Sequence, residues 1–230
     1  MLIVFEGVDS SGKETHSRLA YERLVRDGFS AQKVSFPNYG SKAAGALKMY
    51  LDGEFGAHPE DVNPYVASTF YAVDRFASFR QVWRKSYESG ITIISDRYTT
   101  SNMIHQGAKF NHDNELDEYL GWLSDLEYGK FGLPTPDKVI FLDMPMEFRI
   151  KLLNSRGEKI EGRNEKDIHE RDIEYLKQAH LCAQKLARRY GWERLSVVKD
   201  DNLRLIEDVH NEVYGIVRRS LEHSVENGRD

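Results

Sequence analysis

The sequence predicts an α/β fold built on a five-stranded parallel sheet with helices on both faces. Short continuous apolar runs rich in β-branched residues alternate along the chain with longer stretches of helical periodicity. This alternation implies a mainly parallel sheet, because helices serve as the crossovers between its strands. The chain has 230 residues, of which 40% are hydrophobic, and this is a normal size for one α/β domain. We therefore expect a single domain over residues 1–230.

Five runs have the continuous apolar character of strands that are buried on both faces. The predicted strands are Leu2–Glu6, Lys33–Phe36, Ile91–Asp96, Lys138–Asp143 and Leu195–Lys199. Two helices near the end of the chain have the clearest periodicity. Their predicted buried faces are Ile173, Leu176, Ala183, Leu186 and Tyr190, and Ile206, Val209, Val213 and Ile216. The charged stretch at residues 154–171 is expected to be a short mobile lid.

Composition and charge exclude several classes of protein. The 32 basic and 37 acidic residues give a net charge of −5, so no global basic field favours nucleic acid. The single cysteine, Cys182, excludes a disulfide framework and favours a reducing compartment. No uninterrupted apolar run approaches the roughly 18–20 residues of a membrane span. We expect a cytoplasmic protein without nucleic-acid or membrane partners.

The stretch EGVDSSGKETH follows the first predicted strand and has most of the features of a phosphate-binding loop. In the pattern G-x-x-x-x-G-K-S/T, the glycines let backbone N–H groups converge on a phosphate, and the lysine neutralises its charge. Gly7, Gly12 and Lys13 match this pattern, and a helix is predicted from Glu14 to about Val25. The residues assigned to nucleotide binding are Gly7, Val8, Asp9, Ser10, Ser11, Gly12, Lys13, Glu14 and Thr15.

Glu14 stands where the pattern has a hydroxyl group that binds Mg²⁺. It is either a solvated residue, favoured at the helix N-terminus by about 0.3–1 kcal/mol through the helix dipole, or a metal ligand. We favour the metal ligand. Thr15 is no simple substitute, because one helical step turns its side chain by about 100°.

Polar residues also follow the third predicted strand, in the stretch DRYTTSNMIHQG. Ligands of parallel sheets bind at the carboxyl ends of the strands. Asp96 can hold Mg²⁺ there through water, and the guanidinium of Arg97 can bind a phosphoryl group with two N–H groups. Ser101 and Gln106 add hydrogen-bonding groups beyond them. Taken alone, an Asp-Arg pair at a strand end is more often structural.

A third element is the helix predicted to begin with Asn63 as its N-cap and Pro64 in its first turn. Tyr71 and Arg75 are four residues apart, so they share one face of this helix. An aromatic ring and a guanidinium so placed can stack on a nucleobase and bind its edge. Taken alone, packing in the core or on the surface is the commoner explanation for such a pair.

Together these stretches resemble the thymidylate kinase family of P-loop nucleoside monophosphate kinases. The motifs that carry the resemblance are FEGVDSSGK, SFPNYG, FYAVDR, DRYTTSNMIHQG and FLDMP, followed by a charged lid. They span nearly the whole chain, and their shared order is more specific than the loop alone. The resemblance implies the P-loop kinase fold, transfer of the γ-phosphoryl group of ATP to thymidine monophosphate (dTMP), a requirement for ATP and Mg²⁺, and a homodimer.

The resemblance also implies roles for individual residues. Asp9 would accept a hydrogen bond from the deoxyribose 3′-hydroxyl, Tyr71 would stack on thymine and Arg75 would contact the base edge. Arg97 would bind the acceptor phosphate, and Lys13 would bridge the donor phosphates. Ser101 and Gln106 would lie near the base, and Phe36 and Pro37 would shape the pocket. Asp96 would lie near Mg²⁺. The lid cations Arg156, Lys159, Arg163 and Lys166 would supply charge to the transferring phosphoryl group, and we assign Arg156 and Arg163 to catalysis.

The sequence departs from the family pattern at three positions. Glu14 replaces the usual hydroxyl, and His105 stands where a tyrosine often precedes Gln106. The arginine that commonly follows Phe-Pro is absent, and Tyr39 or Lys42 would have to bind the acceptor phosphate in its place. Two alternative functions stay open: a kinase for another deoxynucleoside or deoxynucleotide, and a nucleotide-binding protein without turnover.

Overall fold

A five-stranded parallel sheet lies at the centre of the computed structural model, which describes residues 1–155, 168 and 172–226. Its strands are Leu2–Glu6 (β1), Ala31–Ser35 (β2), Thr92–Asp96 (β3), Lys138–Asp143 (β4) and Glu193–Ser196 (β5). The spatial order is β2-β3-β1-β4-β5, and every pair is parallel. All residues of β1 and β3 are buried, which confirms that their apolar runs form central strands.

The last predicted strand is wrong in its position. Leu195–Lys199 was expected, whereas β5 pairs with β4 only as far as the register Asp143↔Ser196. Because β4 ends at Asp143, the apolar residues beyond it have no strand to pair with. Val198–Lys199 (β6) instead pairs antiparallel with Asn202–Leu203 (β7) in a small hairpin. The second strand also begins two residues earlier than predicted, at Ala31.

Nine helices cover the sheet within the described part of the chain. They are Lys13–Arg26 (α1), Gly45–Leu51 (α2), Pro64–Ser78 (α3), Arg84–Glu88 (α4), Thr99–His105 (α5), Asp113–Ser124 (α6), Met146–Ser155 (α7), Ile173–Arg189 (α8) and Ile206–Glu226 (α9). A π-helical turn, Phe79–Trp83, joins α3 to α4, and a second one, Asp125–Lys130, continues α6. None of the described helices is long and apolar enough to cross a membrane.

The predicted buried faces of α8 and α9 are correct in the middle and wrong at the ends. Leu176, Ala183, Leu186, Val209, Val213 and Ile216 are buried. Ile173, Tyr190 and Ile206 are exposed, at 55%, 45% and 59%. Ile173 and Ile206 are the first residues of their helices, and Tyr190 follows the last residue of α8. These ends therefore extend past the surfaces on which the helices pack.

The predicted lid at residues 154–171 falls mostly outside the described residues. Its first two positions belong to α7, which runs to Ser155. Ile168 is only 2% exposed and packs in an apolar cluster with Leu47, Tyr50 and Val62. Residues 156–167 and 169–171 lie outside the described residues, so the assignments of Arg156, Lys159, Arg163 and Lys166 stay predictions.

Candidate active site

The carboxyl ends of three neighbouring strands bring the main predicted site residues together. In the register of the sheet, Asp96 at the end of β3 lies beside Phe5 of β1 and Ser35 of β2. The loop that follows β1 and the Phe36–Pro37 segment that follows β2 therefore border the Asp96–Arg97 pair. This edge of the sheet is where the strand order predicts a ligand site.

The loop after β1 has the backbone conformation that its glycines predict. Gly7 and Gly12 have φ of 152° and 90°, and Ser10 has φ of 67°. A Cβ atom on Gly7 would lie 2.6 Å from both the Leu142 carbonyl oxygen and Ser11 Oγ, so no larger residue fits there. The helix α1 begins directly after Gly12, and the N–H groups of its first turn have no acceptor within the helix. Such a loop and helix end can accommodate a phosphate.

Lys13 is the first residue of α1, and its side chain reaches back to the loop. Its Nζ donates a hydrogen bond to the Val8 carbonyl at 2.7 Å, and the side chain is buried. Burial and the charge of Arg97 lower the pKa of Lys13 to about 8, against the opposing charges of Asp9 and Asp96. The amine is therefore largely charged at neutral pH, and a bound phosphate would raise its pKa back toward the usual value.

Asp9 lies between two arginine side chains. Its Oδ1 accepts a hydrogen bond from Arg97 Nη2, and its Oδ2 accepts one from Arg149 Nη2 at 3.0 Å. Burial alone would raise the pKa of Asp9, but the charges of Arg97, Lys13 and Arg149 hold that pKa well below its usual range. Asp9 is thus ionised, and it orients two cations toward the loop. A carboxylate has about four acceptor positions, so these contacts do not prevent it from binding a hydroxyl group as well.

Arg97 is held in place by its backbone as well as by its side chain. It has φ of 64°, in the left-handed region, which costs a residue with a side chain about 1–2 kcal/mol. The Ser95 hydroxyl donates to its carbonyl, and its own N–H donates to the Phe5 carbonyl at 3.0 Å. Its Nη1 donates to Ser101 Oγ at 3.2 Å. Backbone strain of this kind concentrates at functional sites, and the hydrogen bonds to Ser101 and Asp9 fix the direction of the guanidinium.

Glu6 connects the loop to α5. It is fully buried at the end of β1, where its Oε1 accepts from the Gly7 N–H at 2.9 Å. Its Oε2 accepts from Thr100 Oγ1 at 2.7 Å and from Ser101 Oγ at 2.8 Å. Ser101, which we expected near the base, therefore helps to hold Glu6 and Arg97.

Asp96 is the best candidate for a metal ligand. It is 7% exposed, and its carboxylate accepts no hydrogen bond from any described residue. Burial raises the pKa of Asp96, opposed by the charges of Lys13 and Arg97. A buried carboxylate without a donor suits a hard divalent cation, which prefers oxygen ligands. The residues of this site therefore fit Mg²⁺.

Glu14 lies at the solvent edge of the same site. Its side chain is 48% exposed, 3.5 Å from Lys33 Nζ and 3.9 Å from Arg18 Nε. Ion pairs between exposed groups contribute little, so they would not prevent the carboxylate from binding a cation. Both interpretations of Glu14 stay predictions.

The segment after β2 forms the wall beside Asp96. Phe36 is buried and is joined to Pro37 by a cis peptide bond. The N–H of the next residue, Asn38, donates to Asp74 Oδ2 at 2.8 Å. Asp74 is a buried residue of α3, and burial raises its pKa. This contact fastens the Phe-Pro segment to the helix that carries the predicted base-binding residues. Tyr39 is 40% exposed at the rim.

The two predicted base-binding residues of α3 have different surroundings. Tyr71 is half-buried and meets Tyr50 edge to face, with ring centroids 6.5 Å apart. Arg75 is 1% exposed, and its Nε and Nη2 donate to Glu127 at 2.7 and 2.6 Å. Thr99 Oγ1 donates to the same carboxylate at 2.8 Å. Glu127 thus fixes the guanidinium of Arg75, whose Nη1 donates to the Tyr98 carbonyl at 3.4 Å.

Gln106 is fully buried, and neither its Oε1 nor its Nε2 has a hydrogen-bond partner among the described residues. Leaving a buried polar group without a partner costs about 1–3 kcal/mol, so an amide of this kind requires an explanation. A ligand that presents an N–H group beside a carbonyl would satisfy both atoms. Our placement of Gln106 in the acceptor pocket stays a prediction, and this observation supports it.

Sequence reasoning missed four residues of this network. They are Glu6, Asp74, Glu127 and Arg149. A charged residue at the end of the apolar run of β1 was a signal for Glu6. Arg149 is fully buried on α7 and lies 140 residues from its partner Asp9. Nothing local to either residue indicates that pairing.

Comparison with known proteins agrees with the geometry. The family model for thymidylate kinase matches residues 5–213. A thymidylate kinase of Mycobacterium tuberculosis is 31% identical over 195 residues, covering 84% of this chain and 87% of that protein. A probable thymidylate kinase of Thermococcus onnurineus is 29% identical over 229 residues, with 96% and 98% covered. The thymidylate kinase of Schizosaccharomyces pombe is 27% identical over 216 residues, with 94% and 90% covered.

The parallel sheet, the glycine loop with its lysine and the facing Asp-Arg pair define a P-loop kinase fold. Within that class the family match covers most of the described chain. The chain belongs to the thymidylate kinase family. This confirms the resemblance found in the sequence motifs.

Proposed function

We propose that this chain transfers the γ-phosphoryl group of ATP to dTMP and forms dTDP. The family match supports this function, and the single observation that carries it in the site is the buried, unpartnered amide of Gln106. Thymine has an N–H group beside a carbonyl on its hydrogen-bonding edge. The amide of Gln106 can accept from the first and donate to the second. Arg75 would contact the same edge, and Tyr71 would stack on the ring.

The reaction requires positioning and charge more than acid–base chemistry. The acceptor is a phosphate oxygen that is already anionic, so no strong base is needed. The main obstacle is the repulsion between two anionic substrates. Lys13 would bind the donor phosphates, and Arg97 would bind the acceptor phosphate. Asp9 would hold the deoxyribose hydroxyl while it orients Arg97 and Arg149.

Mg²⁺ would be held by Asp96, directly or through water, with Glu14 as the second proposed ligand. When bound, the ion neutralises charge on the donor phosphates. The carboxylates of Glu6 and Asp9 keep Arg97 and Arg149 in place before substrate arrives. This preorganisation limits the cost of rearranging charges during the reaction.

The proposed acceptor is tested with a panel of nucleotides and with a variant at Gln106. We expect ADP formation to be fastest with dTMP when dTMP, dUMP, UMP, dCMP, AMP and thymidine are compared. Gln106→Leu should lower kcat/KM for dTMP by about tenfold to a hundredfold, because it removes the partners of the base edge. The free energy of unfolding of the same variant in urea should be no lower than that of wild type, since the substitution removes an unsatisfied buried amide.

Gln178→Leu, at an exposed position of α8, serves as the control. It should leave kcat/KM for dTMP and the free energy of unfolding unchanged. Faster turnover of thymidine than of dTMP would favour a deoxynucleoside kinase instead. ATP and dTMP binding without ADP release would favour a binding protein without turnover.

The role of Glu14 is tested by its magnesium dependence. If Glu14 is a ligand, Glu14→Gln should raise the Mg²⁺ concentration for half-maximal activity on the order of tenfold. Arg18→Gln removes an ion-pair partner of Glu14 and leaves its carboxylate intact, so it should not change that concentration. An equal magnesium requirement in wild type and Glu14→Gln would identify Glu14 as a solvated residue of the helix start.

A homodimer through α3 is also part of the proposal. Val66, Val73 and Phe76 of α3 are exposed at 48%, 45% and 38%, and their spacing of seven and three residues places them on one stripe. Apolar stripes of this kind mark protein interfaces. Light scattering should give a dimer for wild type and a shift toward monomer for Val73→Glu. Val25→Glu, at a similarly exposed valine of α1, should stay dimeric. A monomeric wild type would contradict the proposal.

A further inference from the structure

A cavity of about 280 Å³ lies on the side of α5 that faces away from the candidate active site. It is bounded by α5, by the end of α6, by the start of β4 and by the turn between α8 and β5. Thr99, Thr100 and Met103 of α5 line it. Ser101, on the other face of the same helix, contacts Arg97 and Glu6. A single seven-residue helix therefore separates the cavity from the site.

Three polar groups in the cavity wall already have partners within the protein. Thr99 Oγ1 donates to Glu127 at 2.8 Å, and Thr100 Oγ1 donates to Glu6 at 2.7 Å. Asp137 Oδ2 accepts from the Leu2 N–H at 2.7 Å. These groups do not need a ligand. The rest of the wall includes the apolar side chains Met103, Leu120, Leu123, Val139 and Trp192.

The size and lining of the cavity indicate the class of its ligand. An apolar cavity of roughly 150 Å³ in another protein stays dry and binds benzene. A cavity of about 280 Å³ has room for a molecule of one or two rings. Its wall combines aliphatic side chains with the rings of Tyr128, Tyr190 and Trp192. Its charged residues, Asp137 and Lys138, already contact the Leu2 N–H and Glu193, so the wall favours a flat, uncharged ring. We propose that this cavity is a binding site for an uncharged, planar aromatic molecule.

The two threonines connect the cavity to the site. Thr99 holds Glu127, which fixes Arg75, and Thr100 holds Glu6, which fixes Ser101 and lies 3.7 Å from Arg97. A molecule that packs on Thr99 and Thr100 stabilises their hydrogen bonds to Glu127 and Glu6, and with them the arrangement that binds the acceptor. Binding at the cavity and binding of dTMP therefore strengthen each other by the same factor. This coupling rests on the proposed function, whereas the cavity site does not.

Indole is a suitable probe, because it is uncharged, flat and bicyclic. Calorimetric titration of the full chain without nucleotide should show one saturable site for indole. Ser124→Phe places a ring at the exposed mouth of the cavity and should weaken indole binding by at least about tenfold. Asn114→Phe, the same kind of change at an exposed position of α6 outside the cavity, should leave indole binding unchanged.

Repeating the titration with saturating dTMP tests the coupling, and we expect the Kd for indole to fall about fivefold or more. The absence of saturable binding to wild type, or equal binding to wild type and Ser124→Phe, overturns the cavity site. A chain that binds indole in this way but does not bind dTMP supports the cavity site and rejects the proposed function. If dTMP binds and the Kd for indole does not change, the coupling is rejected.

Discussion

Lys13→Met should lower kcat for the transfer of phosphoryl from ATP to dTMP by about a hundredfold to a thousandfold. This is the usual effect of removing one preorganised group that stabilises developing charge in a transition state. The side chain of Lys13 is buried against the loop, where its charge is poorly screened by water. Steady-state rates at saturating ATP, dTMP and Mg²⁺ measure the effect, and urea unfolding checks that the fold is intact.

The matched control for Lys13→Met is Lys85→Met, at an exposed lysine of α4. Its kcat should equal that of wild type. If Lys13→Met kept more than about half of the wild-type kcat, Lys13 would not bind the donor phosphates in the transition state. A twofold change in kcat corresponds to only about 0.4 kcal/mol of transition-state stabilisation.

Glu127→Leu should destabilise the fold by about 3–5 kcal/mol. The reason is that it leaves the guanidinium of Arg75 buried without its counter-charge. Both side chains are at most 2% exposed, so water cannot take the place of the lost partner. The free energy of unfolding from urea titration, followed by tryptophan fluorescence, measures the change.

Two further variants separate the charge effect from a loss of packing. The double variant Arg75→Leu/Glu127→Leu should recover much of the lost stability, since apolar pairs often replace a buried ion pair at little cost. It should nevertheless bind dTMP poorly, because Arg75 is proposed to contact the base. Glu118→Leu, at an exposed position of α6, should change the stability by less than about 0.5 kcal/mol. A loss of less than about 1 kcal/mol in Glu127→Leu would show that the pair does not stabilise the fold.

The contiguous parts of the site could be predicted from the sequence. A phosphate-binding loop requires glycines and a lysine at fixed spacing. The positive φ angles of Gly7 and Gly12 are ones that only glycine adopts easily. Continuous apolar runs imply strands covered on both faces, and β1, β3 and β4 lie close to their predicted bounds. The Asp96–Arg97 pair could be assigned to the ligand edge because all parallel strands end on the same side of the sheet.

The pairings that orient these residues could not be predicted in this way. Arg75 and Glu127 are 52 residues apart, and Asp9 and Arg149 are 140 residues apart. Each pair forms only because helices and loops from distant parts of the chain meet at one edge of the sheet. The sequence alone thus specified the kind of site, through short patterns whose geometry is local. The tertiary structure decided which carboxylate holds each cation, because these contacts depend on strand order and helix packing.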